Sequence, residues 1–255
     1  MKTNYTYIYR ALRNNQLCRW NKYLINVYIN YSEVGPHLDK VRLENRIKSS
    51  FEVWENALEG KLKFNFVDNF NEDCNIYIDF QRNNCVGAIG QCTFSSILPS
   101  GEFKRMYITL GLIWTQLFDA TVIHEIGHAL GIIGHSPHNL DIMYESSNPA
   151  VTGLSVKDIN TIRLMYKLPL GCNREYIESH LGSILDNTYE GEEQDNNIVQ
   201  YPMIQNRTEI DEYRDISQET FKLGVINILK IEQSKIKLSP DVCCYLEDNQ
   251  RRNMI

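Results

Sequence analysis

An α+β fold is predicted for most of this 255-residue chain, and three observations predict it. Segments whose apolar residues alternate, the period of a strand, fall between residues 23 and 110. Segments with apolar residues at helical spacing fall at 38–58, 115–130 and 154–168. Their order is one strand, one helix, several strands, then two helices, and not the strict alternation that builds a doubly wound parallel sheet. A twisted mixed sheet of about five strands with three helices is therefore expected, ending near Pro169.

The elements follow in order. YLINVYIN (23–30) alternates apolar and polar residues and is the first strand. LDKVRLENRIKSSFEVWENAL sets Val41, Ile47, Phe51, Trp54 and Leu58 near helical spacing, an amphipathic helix stopped by Gly60. KLKFNFVD and CNIYIDF, rich in β-branched and aromatic residues, are two short strands, and VGAIGQCTF and RMYITL are two more. A helix from about Thr115 to Leu130 comes next. LSVKDINTIRLMYKL is the third helix, with Leu154, Ile159, Ile162 and Met165 on one side. Beyond residue 170, DNTYEGEEQDNNIVQ has the composition of a linker or mobile loop. ETFKLGVINILKIEQ then puts Phe221, Val225, Ile228 and Leu229 on one face, giving a helix near 208–233 that packs against the main domain. The expected organisation is a short N-terminal segment (1–18), a main domain (19–170) and an acidic, partly helical C-terminal extension (171–255).

Composition narrows the function. The net charge of −6 is uneven: residues 1–170 carry 17 basic and 16 acidic side chains, residues 171–255 carry 9 and 16. No basic stripe tracks phosphates, so nucleic acid is excluded as a partner. MKTNYTYIYRALRNN has no apolar run of signal-peptide type, and no later run is long enough to span a membrane, so no membrane association is expected. Seven cysteines, with no C-x-x-C, cannot form a complete set of intramolecular disulfides, and free thiols are expected. Cys85 and Cys92 flank a turn and could pair if the protein is secreted, while the neighbouring Cys243 and Cys244 read as apolar filler.

The chemistry is concentrated in HEIGHALGIIGHS, His124 to Ser136. His124 and His128 are four apart, so on a helix their rings stand one turn above the other and can converge on one ion. Glu125 points away from that pair but can reach a metal-bound water. A helix running on through residue 131 would aim His135 away from the metal. Gly131 can adopt a positive φ, turn the chain and bring His135 round as the third ligand. Three neutral imidazoles and one open position form a catalytic rather than a closed structural zinc site. Zinc is preferred to iron or copper because no carboxylate completes a facial triad. At this chain's own frequencies H-E-x-x-H-x-x-G-x-x-H arises by chance in roughly one of 10⁵ such chains, which sets coincidental histidines aside.

HEIGHALGIIGHS with DIMY downstream resembles the metzincin clan of zinc endopeptidases, and Ser136 directly after the third histidine resembles its matrixin branch, the matrix-metalloproteinase-like family, in a minimal, bacterial-type form. The similarity runs over about 19–169, from RWNKYLINVYIN to LSVKDINTIRLMY. It implies a zincin-type catalytic domain, one catalytic Zn²⁺ held by His124, His128 and His135, Glu125 as general base, and protein or peptide substrates. It implies that Met143 is the Met-turn methionine beneath the ligands, and that Asp158 ties the closing helix to that turn. Gly131 and Ser136 are then structural supports. Members are usually extracellular and commonly bind calcium, but this chain offers no unambiguous set of oxygen ligands for Ca²⁺.

Departures from the family pattern are specific. A second histidine set between the strands is missing, as is a PRCGxPD latency motif. Lys157 stands where animal members carry an acid that pairs with the freed N-terminus. Glu145–Ser147 replace the P-x-Y of the specificity wall, and Tyr144 takes a core or wall role. The substrate-binding residues are not readable from the sequence beyond one candidate, an exposed sheet edge at Val86–Phe94 to which an extended peptide adds as a strand. His37, His138 and His180 read as surface histidines, Cys18 either as a free thiol or as a thiolate latch over the zinc, and the acidic run near 190–195 as solvated. Two rival functions share the fold: a non-catalytic, zinc-stabilised peptide-binding module, against which the retained Glu125 argues, and an enzyme whose 171–255 extension lies across its own cleft.

Overall fold

The strand-period segments become β1 (Leu24–Ile29), β2 (Lys63–Val67), β3 (Ile76–Gln81), β4 (Gly90–Phe94) and β5 (Met106–Gly111). They form one mixed sheet in the order β2-β1-β3-β5-β4, all pairs parallel except β4 with β5. The computed structural model describes residues 6–81, 90–112, 117–146 and 148–186. The predicted helix near 208–233, the acidic linker, Cys85, Cys243 and Cys244 lie outside those residues.

Register explains which side chains form the core. Pairing aligns Phe66, Val27, Ile76, Met106 and Phe94 across all five strands, with Ile29, Ile78, Ile108 and Cys92 in a second row. Because side chains alternate between faces, both rows lie on one side of the sheet. That side carries the helices, and Val27, Ile76 and Ile108 are fully buried there. The opposite face presents a ladder of Tyr28, Tyr77 and Tyr107, with ring centroids 5.7 and 5.9 Å apart.

Four α-helices are present among the described residues, where three were expected. α1 (Lys40–Ala57) starts at Asp39, whose side chain accepts from Arg42 N at 3.0 Å. Its buried stripe is Leu43, Ile47, Phe51 and Trp54, whereas Val41, expected on that face, is exposed because it sits in the first turn on the solvent side. α2 (Phe118–Leu130) is apolar nearly all round and is accordingly buried between α1 and the sheet. Two buried indoles grip it: Trp54 Nε1 donates to Ile123 O at 2.8 Å and Trp20 Nε1 to Ala129 O at 2.9 Å.

α3 (Val156–Lys167) opens with a reciprocal capping box between Ser155 and Asp158 and buries Ile159, Ile162 and Met165, with Leu154 just ahead of it. α4 (Arg174–Asp186) is the unpredicted helix. Asn173 Oδ1 accepts from Tyr176 N, and Ile177 and Leu181 are buried one turn apart. Residues of the N-terminal stretch, Tyr7, Ile8, Ala11, Leu17 and Cys18, belong to the same buried cluster as the sheet and helices. No helix of the described residues is long and apolar enough to cross a membrane.

Candidate metal centre

α2 carries His124 and His128 on its one side that is not sealed by apolar neighbours; both are half-buried, and Glu125 between them is buried. The helix ends where Gly131 enters the left-handed region at φ +118°, and Ile132 N donates to Gly127 O at 3.1 Å to close the last turn. A Cβ at residue 131 would lie 2.4 Å from Cys18 O, so this position has neither the conformation nor the space for a side chain. The reversal brings His135 back to the helix. Its ring centroid lies 5.3 Å from that of His124 and 5.0 Å from that of His128, and one nitrogen from each ring lies within 4.8 Å of the other two.

Hydrogen bonds decide which nitrogens are available. His124 Nδ1 lies 2.7 Å from Ile142 O and His128 Nδ1 lies 2.5 Å from Ile132 O. A carbonyl only accepts, so both Nδ1 atoms carry the hydrogen and both Nε2 atoms present a lone pair. Those two Nε2 atoms face each other at 3.0 Å. Burial, opposed by the Ile142 bond, lowers the His124 pKa to about 4; burial and the nearby His124 charge lower that of His128 to about 3. At neutral pH no proton therefore lies between them. Two lone pairs in such contact call for a cation, and neutral imidazoles are the donors zinc takes. The donor set fits a metal. His135 is exposed; burial lowers its pKa, and the Glu145 charge acts in the opposite direction.

Glu125 has a carboxylate that the fold leaves unsatisfied. It is 5% exposed, its Oε2 has no hydrogen-bond partner, and burial raises its pKa to about 8. It lines a cleft together with the three histidines, with Gly90, Cys92, Phe94, Met106, Ile133 and Glu145 around them. Gly90 leaves the room that Glu125 occupies, since a Cβ there would sit 2.8 Å from Glu125 Oε1. β4, which supplies Gly90 to Phe94, is one of the two edge strands of the sheet among the described residues, β2 being the other.

The loop after His135 is cross-linked beneath the cluster. Ser136 N donates to Met143 O at 2.7 Å, and the buried Ser136 hydroxyl donates to Asp141 Oδ2 while accepting from His138 N. Met143 is fully buried with its thioether against Gly127, within the turn that carries His128. Asp158 Oδ2 accepts from Ile142 N at 2.9 Å and Ser155 N at 2.8 Å, so α3 is tied to the backbone that orients His124. Asp141 and Gly90 are not singled out by the sequence; each lies within a motif, but their roles depend on partners outside it or on the closed turn. Tyr144 is half-buried and bridges Ser136.

Other candidates fall elsewhere. His37 and His138 are exposed, and His180 stacks on Tyr176 at 4.1 Å on α4. Cys18 is buried with its thiol on Gln16 O, and burial raises its pKa, so a thiolate latch over the metal is not what this residue provides.

An α+β fold whose buried helix and following turn gather three imidazoles offers a group that could hold one metal ion. Comparison with known proteins adds a match to the matrixin family model over residues 115–167. The chain is matrixin-like over that stretch, which spans α2, the histidine turn, the Met143 turn and α3. No curated protein matches it.

Proposed function

We propose that this protein is a zinc-dependent endopeptidase. The observation that carries the reading is Glu125: a buried, unpartnered carboxylate opening into the same cleft as three imidazoles whose lone pairs converge. His124, His128 and His135 hold the ion through ring nitrogens. When bound, zinc supplies Lewis acidity toward a water and a peptide carbonyl. Burial alone favours the acid form of Glu125, whereas a cation held by the histidines favours its carboxylate. In that ionised form it takes the proton of the attacking water on Oε2 and passes it to the departing amine, the work of a general base that then serves as acid. Met143, Gly131, Ser136 and Asp158 keep the ligand loops in place. The extended substrate lies along β4, a reading supported by that strand's edge position and by its residues in the cleft wall.

Two readings on one purified sample test this: zinc per chain, and cleavage of a quenched peptide library with and without a chelator. One zinc and chelator-sensitive cleavage are expected. Glu125→Gln should keep the zinc and lose at least about 10²-fold in turnover. Cleavage by that variant at the normal rate removes Glu125 as the base, and zinc binding without any cleavage leaves a peptide-binding module.

A further inference from the structure

We infer that the N-terminal stretch from Tyr7 to Cys18 is a positioning strap for the metal ligands, with Tyr7 acting on His124 through Asp158 and the carbonyl-bearing turn at Ile142. The inference rests on the metal centre proposed above. Tyr7 is 6% exposed, and its hydroxyl donates to Asp158 Oδ1 at 2.6 Å. The other oxygen of Asp158 accepts from Ile142 N at 2.9 Å, and Ile142 O receives the Nδ1 hydrogen of His124 at 2.7 Å. One unbroken series of hydrogen bonds thus runs from residue 7 to the first ligand. An imidazole is aimed by whatever holds its other nitrogen, so a displaced Ile142 carbonyl displaces the lone pair offered to the metal.

The strap also reaches the third ligand. Arg10 O accepts from Gly134 N at 3.0 Å, one residue before His135, and a Cβ at Gly134 would sit 2.4 Å from that oxygen. Farther on, Cys18 O lies against Gly131 at the reversal itself. The same stretch is anchored independently of these contacts, since Tyr7 N donates to Thr161 Oγ1 at 3.1 Å and the Thr6 and Thr161 hydroxyls lie 2.9 Å apart. Thr161 therefore separates two roles that Tyr7 combines. Removing its hydroxyl loosens the strap on α3 and leaves the Tyr7–Asp158–Ile142–His124 connection in place.

Coupling of this kind is reciprocal: if docking of the strap favours the metal, the metal favours docking by the same factor. The full chain is prepared as wild type, Tyr7→Phe and Thr161→Val, and the zinc dissociation constant of each is measured by competition with a chromophoric chelator. Tyr7→Phe should bind zinc at least about tenfold more weakly than wild type, and more weakly than Thr161→Val at equal loss of thermal stability. In the unaltered protein, zinc alone should slow hydrogen exchange at the Tyr7 and Gly134 amides at least about tenfold. This second measurement stands even if Tyr7→Phe does not fold. Equal zinc affinity in the two variants, or exchange at Tyr7 unchanged by zinc, overturns the strap. Absence of zinc binding by the wild type overturns the metal centre instead.

Discussion

At the scale of single residues, the centre depends on positions with no freedom. Gly131 combines φ +118° with a backbone oxygen 2.4 Å from where a Cβ would lie. That oxygen belongs to Cys18 in the packed core and cannot swing aside as a flexible side chain would. Gly131→Ala should cost roughly 2 kcal/mol or more and weaken zinc binding, read as a lower denaturation midpoint and less than one zinc per chain. Asp158 gives a pH signature. Burial raises its pKa to about 6, against the hydrogen bond from Tyr7, whereas an unfolded aspartate titrates near 3.8. An acid raised in this way favours the folded state below its unfolded pKa, and that contribution, roughly 3 kcal/mol, is lost as pH rises through about 6. Stability of the wild type minus that of Asp158→Asn should therefore fall between about pH 4 and 6.5; a difference that is flat over that window would refute the assignment.

Elements obey a competition between propensity and packing. Gly127 lies inside α2, where alanine would normally gain about 1 kcal/mol of helix propensity. Here a Cβ would meet Met143 Sδ at 2.3 Å and Trp54 Cζ2 at 2.8 Å, in a fully buried layer. Overpacking costs of about 1–3 kcal/mol exceed the propensity gain, so Gly127→Ala should destabilise the protein in urea titration. The legibility of elements in the sequence follows the same division. Strands such as β1 are readable because one face is buried and the alternation is strict, as in Ile25, Val27 and Ile29. α1 and α3 are readable from their stripes, and α2 from its histidine spacing within an apolar run. α4 carries Ile177, Leu181, Ile184 and Leu185 at helical spacing, a signal passed over when the domain is closed near Pro169. Val41 is misplaced for another reason: spacing extends a stripe into the first turn, but the partner surface ends sooner.

For the whole molecule, metal and fold should be linked. The three imidazoles come from α2 and from the turn after it, while the bonds that aim them come from that turn, the Met143 turn, α3 and the N-terminal stretch. Zinc that binds only this assembled arrangement stabilises the native state by about 2.7 kcal/mol at a free concentration of about 100 Kd. Chelator should lower Tm, and zinc should restore it in a concentration-dependent way; a Tm indifferent to zinc would mean that no such site is formed on folding. Acid works in the same direction as chelator, because protons compete for the imidazole lone pairs that the fold keeps neutral.

The donor residues, their spacing and the need for a turn at Gly131 were determined locally, within His124–His135, because helical period and glycine's backbone freedom are properties of a few consecutive residues. The α+β class was likewise set by short-range periodicity. Only the tertiary structure decided that Glu125 is left without a partner, that Gly90 makes room for it, and that Tyr7, Ser136, Asp141 and Asp158 join the ligand loops. Those facts depend on register and on contacts between residues as much as 151 positions apart, as with Tyr7 and Asp158. Such contacts carry no periodic mark in the chain, and burial and distance exist only once the core has closed around them.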